Sequence, residues 1–231
     1  MRLGFVSDAH GNPDALAACL DRLAGLDVDS VHFLGDAVGY LPEEGAVLEL
    51  LAKASIPCQL GNHERMLLDG PPAELDPVYR LADARARLAP DALDALAAWP
   101  QSRMVEADGR RLLLVHGAPA DPLCGYLYPD TDLGPLGALD YDAVVCGHSH
   151  HPFVRASSGP LVVNAGSVGL PRDAGSLAAF AVYDTARAEA TLYRVAFDAG
   201  PLLERSGDRV HADVRATLAR PVGDFEGELL G

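Results

Sequence analysis

Positive charge is scarce in this chain. Lys53 is its one lysine, and 18 basic residues stand against 33 acidic ones, a net charge of −15 over 231 residues. A surface of that sign repels polyanions, which argues against a non-specific nucleic-acid binder or a protein of anionic membranes. Cysteine is sparse as well: Cys19, Cys58, Cys124 and Cys146 are widely spaced and make no C-x-x-C pair. A disulfide framework needs more cysteines in a shorter chain, so these four read as apolar packing residues in a reducing compartment. No apolar run reaches the roughly 18 residues of a membrane span. The chain opens on a short apolar run that meets a carboxylate at Asp8, too early for a signal peptide. A cytoplasmic protein without a membrane partner is expected. Linkers and repeats are also missing, so one domain is predicted over residues 1–200, with a C-terminal helix and tail over 201–231 packed on it or trailing from it.

What is present is an alternation of short apolar runs and helical stretches. Leu3 to Val6 leads into a polar turn. A helix follows, capped by Asn12, with Pro13 in its first turn and Leu16, Cys19, Leu20 and Leu23 on one face. Val31 to Leu34 and Ile56 to Leu60 are further strands, separated by a helix that begins at Pro42. Residues 74–98 are rich in Ala and Leu and predict two helices split at Pro90. Asp108-Gly109 marks a hairpin turn between 103–105 and 111–115. A Pro-rich loop and a short helix near Leu136 precede a strand at 143–146; strands at 153–156, 161–164, 177–184 and 190–197 follow. The last thirty residues predict a helix and a loose tail. The pattern is that of an α/β protein with helices covering a sheet.

The chemistry sits where the strands end. Five apolar runs each finish in a small polar cluster: Asp8 and His10, Asp36, Asn62 and His63, His116, then His148 and His150. In open α/β sheets functional groups gather outside the carboxyl ends of strands, so these residues are expected to share one crevice. Four histidines, two aspartates and an asparagine form a nitrogen and oxygen donor set without thiolate. That set suits manganese first, with iron, zinc, cobalt or nickel as alternatives. Seven ligands exceed one tetrahedral zinc; they fit two divalent ions about 3.5–4 Å apart that share a carboxylate. Two such ions would make the crevice locally positive on an acidic protein and so admit an anionic substrate.

The ordered set Asp8-x-His10, Gly35-Asp36-x-x-Gly39, Gly61-Asn62-His63-Glu64, His116-Gly117 and Gly147-His148-Ser149-His150 resembles the calcineurin-like metallophosphoesterase superfamily. Val115 to Pro119 with Asp121-Pro122-Leu123, and the run Asn164 to Asp173, resemble its small single-domain prokaryotic phosphodiesterase and phosphatase branch. The resemblance covers roughly residues 1–175 and implies a four-layer αββα sandwich with two mixed sheets. It also implies a dinuclear centre. Asp8, His10 and His150 would hold one metal, Asn62, His116 and His148 the other, and Asp36 would bridge them. A metal-bridging hydroxide would attack phosphorus in line, and His63, which is no metal ligand in the family, would act as general acid or charge partner toward the leaving oxygen.

Departures from the family pattern narrow the expectation. The protein phosphatases carry Gly-Asp-x-x-Asp-Arg-Gly where this chain has Gly35-Asp36-Ala37-Val38-Gly39-Tyr40-Leu41, so the second aspartate and the phosphate-binding arginine are missing there. Arg172 is the expected phosphate contact, with Arg65 and Arg155 behind it, and Ser167 and Tyr40 are further expected substrate contacts. Tyr40, Tyr126 and Tyr128 lie on loops at the same sheet edge and could stack a nucleobase or simply pack. Glu64 reads as favouring a helix N-terminus, His151 as pointing away from the site, and His32 and His211 as structural. A small phosphorylated or nucleotide-derived substrate is expected, with diadenosine tetraphosphate as a refinement and a homo-oligomer as a partner option. A nuclease is opposed by the −15 charge. A non-catalytic scaffold of this fold, which would lack the catalytic histidine, is opposed by the presence of His63.

Overall fold

The computed structural model describes residues 1–230. The strands, in chain order, are β1 (Arg2–Val6), β2 (Ser30–Phe33), β3 (Ser102–Ala107), β4 (Arg110–Val115), β5 (Ala143–Cys146), β6 (Phe153–Ala156), β7 (Leu161–Asn164), β8 (Leu177–Asp184), β9 (Glu189–Ala196) and β10 (Glu228–Leu230). They form two five-stranded sheets, ordered β10-β9-β8-β1-β2 and β3-β4-β5-β7-β6. Both are mixed. In the first, β1 runs parallel to β2 and antiparallel to β8; in the second, β5 is parallel to β4 and β7 while β3 and β6 pair antiparallel at the edges. This is the expected α/β architecture with two mixed sheets face to face.

Period-two alternation explains why the sheets stack. Leu3 and Phe5 of β1, with Ala181 and Tyr183 of β8, face Leu112 and Leu114 of β4, Val145 of β5 and Val163 of β7 in one buried cluster between the sheets. Val6 and Phe33 point the other way, into a larger core under the helices. Those helices are α1 (Pro13–Ala24), α2 (Glu44–Lys53), α3 (Asn62–Asp69), α4 (Asp76–Tyr79), α5 (Leu81–Arg87) and α6 (Pro90–Ala97). The Asn12 side chain accepts from Ala15 N and caps α1 as expected. The opposite face of the second sheet is covered more thinly, by Leu127, Leu133 and Leu136 from the Pro-rich loop and the 3-10 turn Gly134–Ala138.

Four local expectations shift. Ile56 to Leu60, expected as a strand, forms no strand and makes only an isolated parallel bridge from Cys58 to Phe33. The stretch expected as two helices breaks once more, at Arg80, whose φ is +59°. The Tyr79 carbonyl accepts instead from Tyr40 N at 2.7 Å, a bond that ties this stretch to the loop after β2. The second helix begins at Glu44 and not at Pro42, because residues 38–43 run along the crevice. The C-terminal segment expected as a helix and a loose tail holds α7 (Gly200–Ser206), α8 (Ala212–Leu218) and β10, the last paired parallel to β9. Leu202, Val214 and Leu218 pack on Tyr40, Leu41 and Leu170, so these helices press directly on two loops of the crevice. No helix among the described residues is long and apolar enough to cross a membrane.

Candidate metal centre

The ends of β1, β2, β4 and β5 and the start of α3 meet at one edge of the double sheet, and all seven expected ligand residues converge there. Backbone strain gathers at the same place. Asp8, His10, Asp36, Tyr40, His148 and His150 all adopt positive φ between +47° and +64°, a region that non-glycine residues seldom occupy and that functional sites sustain at a cost. Backbone bonds hold these turns: Asp8 N donates to Gly35 O, His10 N to Asp36 O and Gly147 N to His116 O. Gly61 is required by close approach, since a Cβ there would lie 2.0 Å from Asp36 Oδ1.

Each of three imidazoles is oriented by its outer nitrogen. Nδ1 of His10 donates to Val38 O at 3.1 Å, that of His116 to Leu34 O at 3.1 Å, and that of His150 to Leu170 O at 2.6 Å. The Nε2 lone pairs are thereby turned inward, the arrangement by which backbone carbonyls pre-set histidine ligands. Inside, acceptor faces acceptor. His10 Nε2 lies 3.0 Å from His150 Nε2, and His116 Nε2 lies 3.0 Å from Asn62 Oδ1. Asp8 Oδ1 is 3.2 Å from His150 Nε2, and Asp36 Oδ2 is 3.4 Å from His116 Nε2 and 3.6 Å from His10 Nε2. Asp8 Oδ1 and His148 Nε2 are buried without a hydrogen-bond partner. Lone pairs pointed at one another in a dry site demand a cation, so the residues present fit divalent metal ions.

Donor atoms of Asp8, His10 and His150 lie within 4.8 Å of one another, as do those of Asp36, His116 and His148. Asp36 also groups with His10 and His63 within the same limit, which places its carboxylate between the two halves. The electrostatics follow. Burial opposes charge on Asp36, but His116 and His63 outweigh it and hold the carboxyl below the ordinary carboxylate range. Burial likewise works against a charged His116, yet Asp36 and Asp8 prevail and push it up to about 9, so without metal a proton holds the inward nitrogen that a cation would take over. His148 is pushed down to about 4, first by burial and then by His116.

His63 stands beside the ligands, its Nε2 3.9 Å from Asp36 Oδ2. Burial is the main reason that it titrates down at about 3, and His10 and His116 add to the effect against the pull of Asp36. Two tyrosine rings hold it, Tyr79 at 4.6 Å and Tyr40 at 4.9 Å between centroids. Gly39 presses on its other nitrogen: at φ +87°, a Cβ there would lie 2.4 Å from His63 Nδ1. The sequence carried no signal for Tyr79, which sits in a helical stretch with nothing to mark it. Glu64 does more than favour a helix start. Its buried carboxylate accepts from the backbone N–H groups of Gly61, Asp36, Ala37 and Val38, which locks the Asp36 loop to the start of α3. An acid three residues into a helix is the pattern that could have pointed to this role.

The expected substrate contacts separate. Arg172 and Tyr40 line the small cavity over the ligands together with Asn62, His63 and Tyr126. Arg172 Nη2 lies 3.4 Å from the Tyr40 hydroxyl. Arg65 is paired with Asp69, and Arg155 donates to Thr131 O. Ser167, expected to touch substrate, turns inward instead. Its hydroxyl donates to Asp8 O at 2.7 Å and accepts from Leu170 N at 2.8 Å, so it braces the Asp8 turn from behind.

The profile of the calcineurin-like phosphoesterase superfamily domain matches residues 1–188. The chain belongs to that superfamily. It is a metallophosphoesterase, a hydrolase of phosphate esters that depends on metal. A probable metallophosphoesterase of Methanothermobacter thermautotrophicus is 32% identical over 178 residues, 74% of this chain and 80% of the relative. The crystal structure of a metallophosphoesterase from Sphaerobacter thermophilus aligns with a TM-score of 0.80 at 25% identity, over 95% of this chain and 99% of that one. A hypothetical protein of Pyrococcus horikoshii has the same fold, with a TM-score of 0.82 at 19% identity over 99% of both chains.

Proposed function

We propose that this metallophosphoesterase hydrolyses small phosphate esters at a two-metal centre. Asp8, His10 and His150 would hold one ion, Asn62, His116 and His148 the other, with Asp36 shared between them and His63 delivering the proton. The observation that carries this reading is the set of inward-facing acceptor pairs, His10 with His150 and His116 with Asn62, each 3.0 Å apart. A single cation would leave part of that set uncompensated. Divalent ions in such a donor set, manganese first and iron, zinc, cobalt or nickel after it, supply charge neutralisation and an acidified water.

The chain's own residues supply the rest. Arg172, at the cavity wall, binds the non-reacting phosphoryl oxygens. Tyr40 limits access to His10 and His63 from the solvent side, its ring 4.7 Å from that of His10. His63 has Nε2 toward Asp36 and the cavity and Nδ1 buried without a partner. Nε2 is therefore the atom that would face the departing oxygen, and the negative charge of a bound phosphoryl group would raise the otherwise neutral His63 so that it can carry a proton there. No other arginine lines the cavity among the described residues, which suits a substrate of few phosphates. The net charge of −15 disfavours a nucleic-acid polymer as substrate.

The test is hydrolysis of para-nitrophenyl phosphate, its bis ester and diadenosine tetraphosphate by manganese-loaded protein, before and after chelation. Turnover of at least one ester that chelator abolishes and added manganese restores is the expected result. Chelator-insensitive turnover, or none with metal bound, would rule the reading out.

A further inference from the structure

Two tyrosines at the mouth of the site have no part in the proposed chemistry. Tyr126 and Tyr128 are 49% and 37% exposed, and among the described residues they are the exposed aromatic side chains. Every other described aromatic ring is buried or half-buried. Contiguous exposed apolar surface rimmed by polar groups is where ligands and partners bind. Tyr126 lines the cavity over the metal ligands, and Tyr128 stacks on it from the solvent side.

Their arrangement is ordered. The two rings are parallel to within 5°, with centroids 5.5 Å apart. Tyr126 in turn lies over the imidazole of His148, 4.0 Å away and tilted by 28°. A continuous stack thus runs from a metal-ligand imidazole out to solvent, and His151 stands edge-on beside Tyr128 at 5.8 Å. The loop is anchored so that the stack persists. Leu127, between the two tyrosines, is buried against the outer face of the second sheet with Val115, Val144 and Phe153. An extended chain sends residues i and i+2 to the same side, so burying Leu127 presents both rings outward together. The Thr131 hydroxyl accepts from Tyr128 N at 2.8 Å, and Gly125 N donates to Asp121 O at 3.0 Å.

We infer that Tyr126 and Tyr128 form a stacking subsite that selects phosphate esters bearing a nucleobase, with the phosphoryl group at the metal centre and the base on the tyrosine pair. The inference rests on the phosphoester reading above and adds the class of substrate. Arg172 contributes charge to the phosphoryl end and the tyrosines contribute an uncharged face. Such a platform favours a planar ring over a bare sugar and tolerates any base, because every base has a π-face.

The test uses manganese-loaded protein and two non-hydrolysable methylene-phosphonate ligands, the analogues of adenosine 5′-phosphate and of ribose 5-phosphate, which differ by the base alone. Isothermal calorimetry reads their affinities without reference to turnover. The adenosine analogue is expected to bind about tenfold tighter or more, the scale of one base–aromatic stack. Tyr128→Ala should shrink that ratio to within about twofold, and Tyr128→Phe should keep it, since stacking needs the ring and not the hydroxyl. Equal affinities on the native protein, or a ratio that survives Tyr128→Ala, would overturn the subsite while leaving phosphoester hydrolysis standing. If neither ligand binds, the phosphoryl site itself is wrong and the subsite falls with it. Tyr128 is exposed, so melting temperature within a few degrees of native confirms that the variant is folded.

Discussion

At the scale of single residues the site separates into groups that would hold metal and one group that would not. Asp36 faces His116, His10 and His63 at once, whereas in the proposed assignment each histidine ligand would hold one ion. Asp36→Asn is therefore expected to weaken divalent-ion binding more than replacement of any single histidine, a ranking that calorimetric metal titration reads directly. A histidine variant weaker than Asp36→Asn would remove the shared role. His63 makes the opposite prediction. His63→Ala should retain bound metal yet lower kcat roughly 100-fold or more, the scale of general acid–base catalysis. Turnover unchanged within twofold would take His63 out of the mechanism. His63 and the ligand pairs were legible in the chain because short motifs of fixed spacing carry them, whether at a strand end or, for Asn62 and His63, at the start of α3. Tyr79 was not, because its contact with His63 exists only through the packing of α4.

Elements show how little slack surrounds these residues. The turn after β2 carries Asp36, Gly39 and Tyr40, and Glu64 of α3 holds it with three of the four backbone bonds that its carboxylate accepts. Gly39→Ala would drive a methyl to within 2.4 Å of His63 Nδ1 while leaving the ligands untouched. The expected outcome is loss of kcat approaching that of His63→Ala, with metal content retained by elemental analysis. Loss of metal along with activity would mean that the turn as a whole had moved. Strand β2 offers a test of stability. His32 faces the inter-sheet side, stacked on Phe5 at 5.8 Å, and burial first, then Arg103, pushes it down to about 4 from 6.5. The unfolded chain then binds one proton more than the folded one between those pH values. Stability is fully present above about pH 6.5 and falls as the pH drops toward 4, by on the order of 3 kcal/mol from this residue. In urea titrations of metal-free protein, His32→Phe should flatten the acid limb relative to native; identical slopes would exclude the contribution.

For the whole molecule, the C-terminal segment changes character between sequence and structure. Arg220 donates to Arg172 O at 2.7 Å, and buried Arg194 of β9 binds both Asp173 and Glu226 O. Phe225 lies under the same guanidinium at 5.5 Å. Residues 219–230 thus strap the loop that carries Arg172 to the edge of the first sheet. Removing residues 219–231 is expected to raise KM several-fold with a smaller change in kcat, because Arg172 loses its support while the ligands keep theirs. A KM equal to that of the full chain would deny the strap a role in positioning.

The sequence by itself determined the alternation of strands and helices, the strand-end ligands and their chemistry, because these depend on periodicity and on residue type at short spacing. The hairpin at Asp108-Gly109 belongs to the same class: both residues take positive φ, as the tightest hairpin turns require. Tertiary structure alone decided which polar groups face a cavity and which face the backbone. Ser167 and Arg172 lie five residues apart on one loop, yet the first braces Asp8 and the second reaches the site. It decided, too, that Glu64 holds four amides, that Tyr126 and Tyr128 flank a buried leucine, and that the chain's end pairs with β9. Each of these depends on contacts between segments far apart in the chain. No local pattern encodes such contacts; they follow from the way two sheets and their covering layers share a common core.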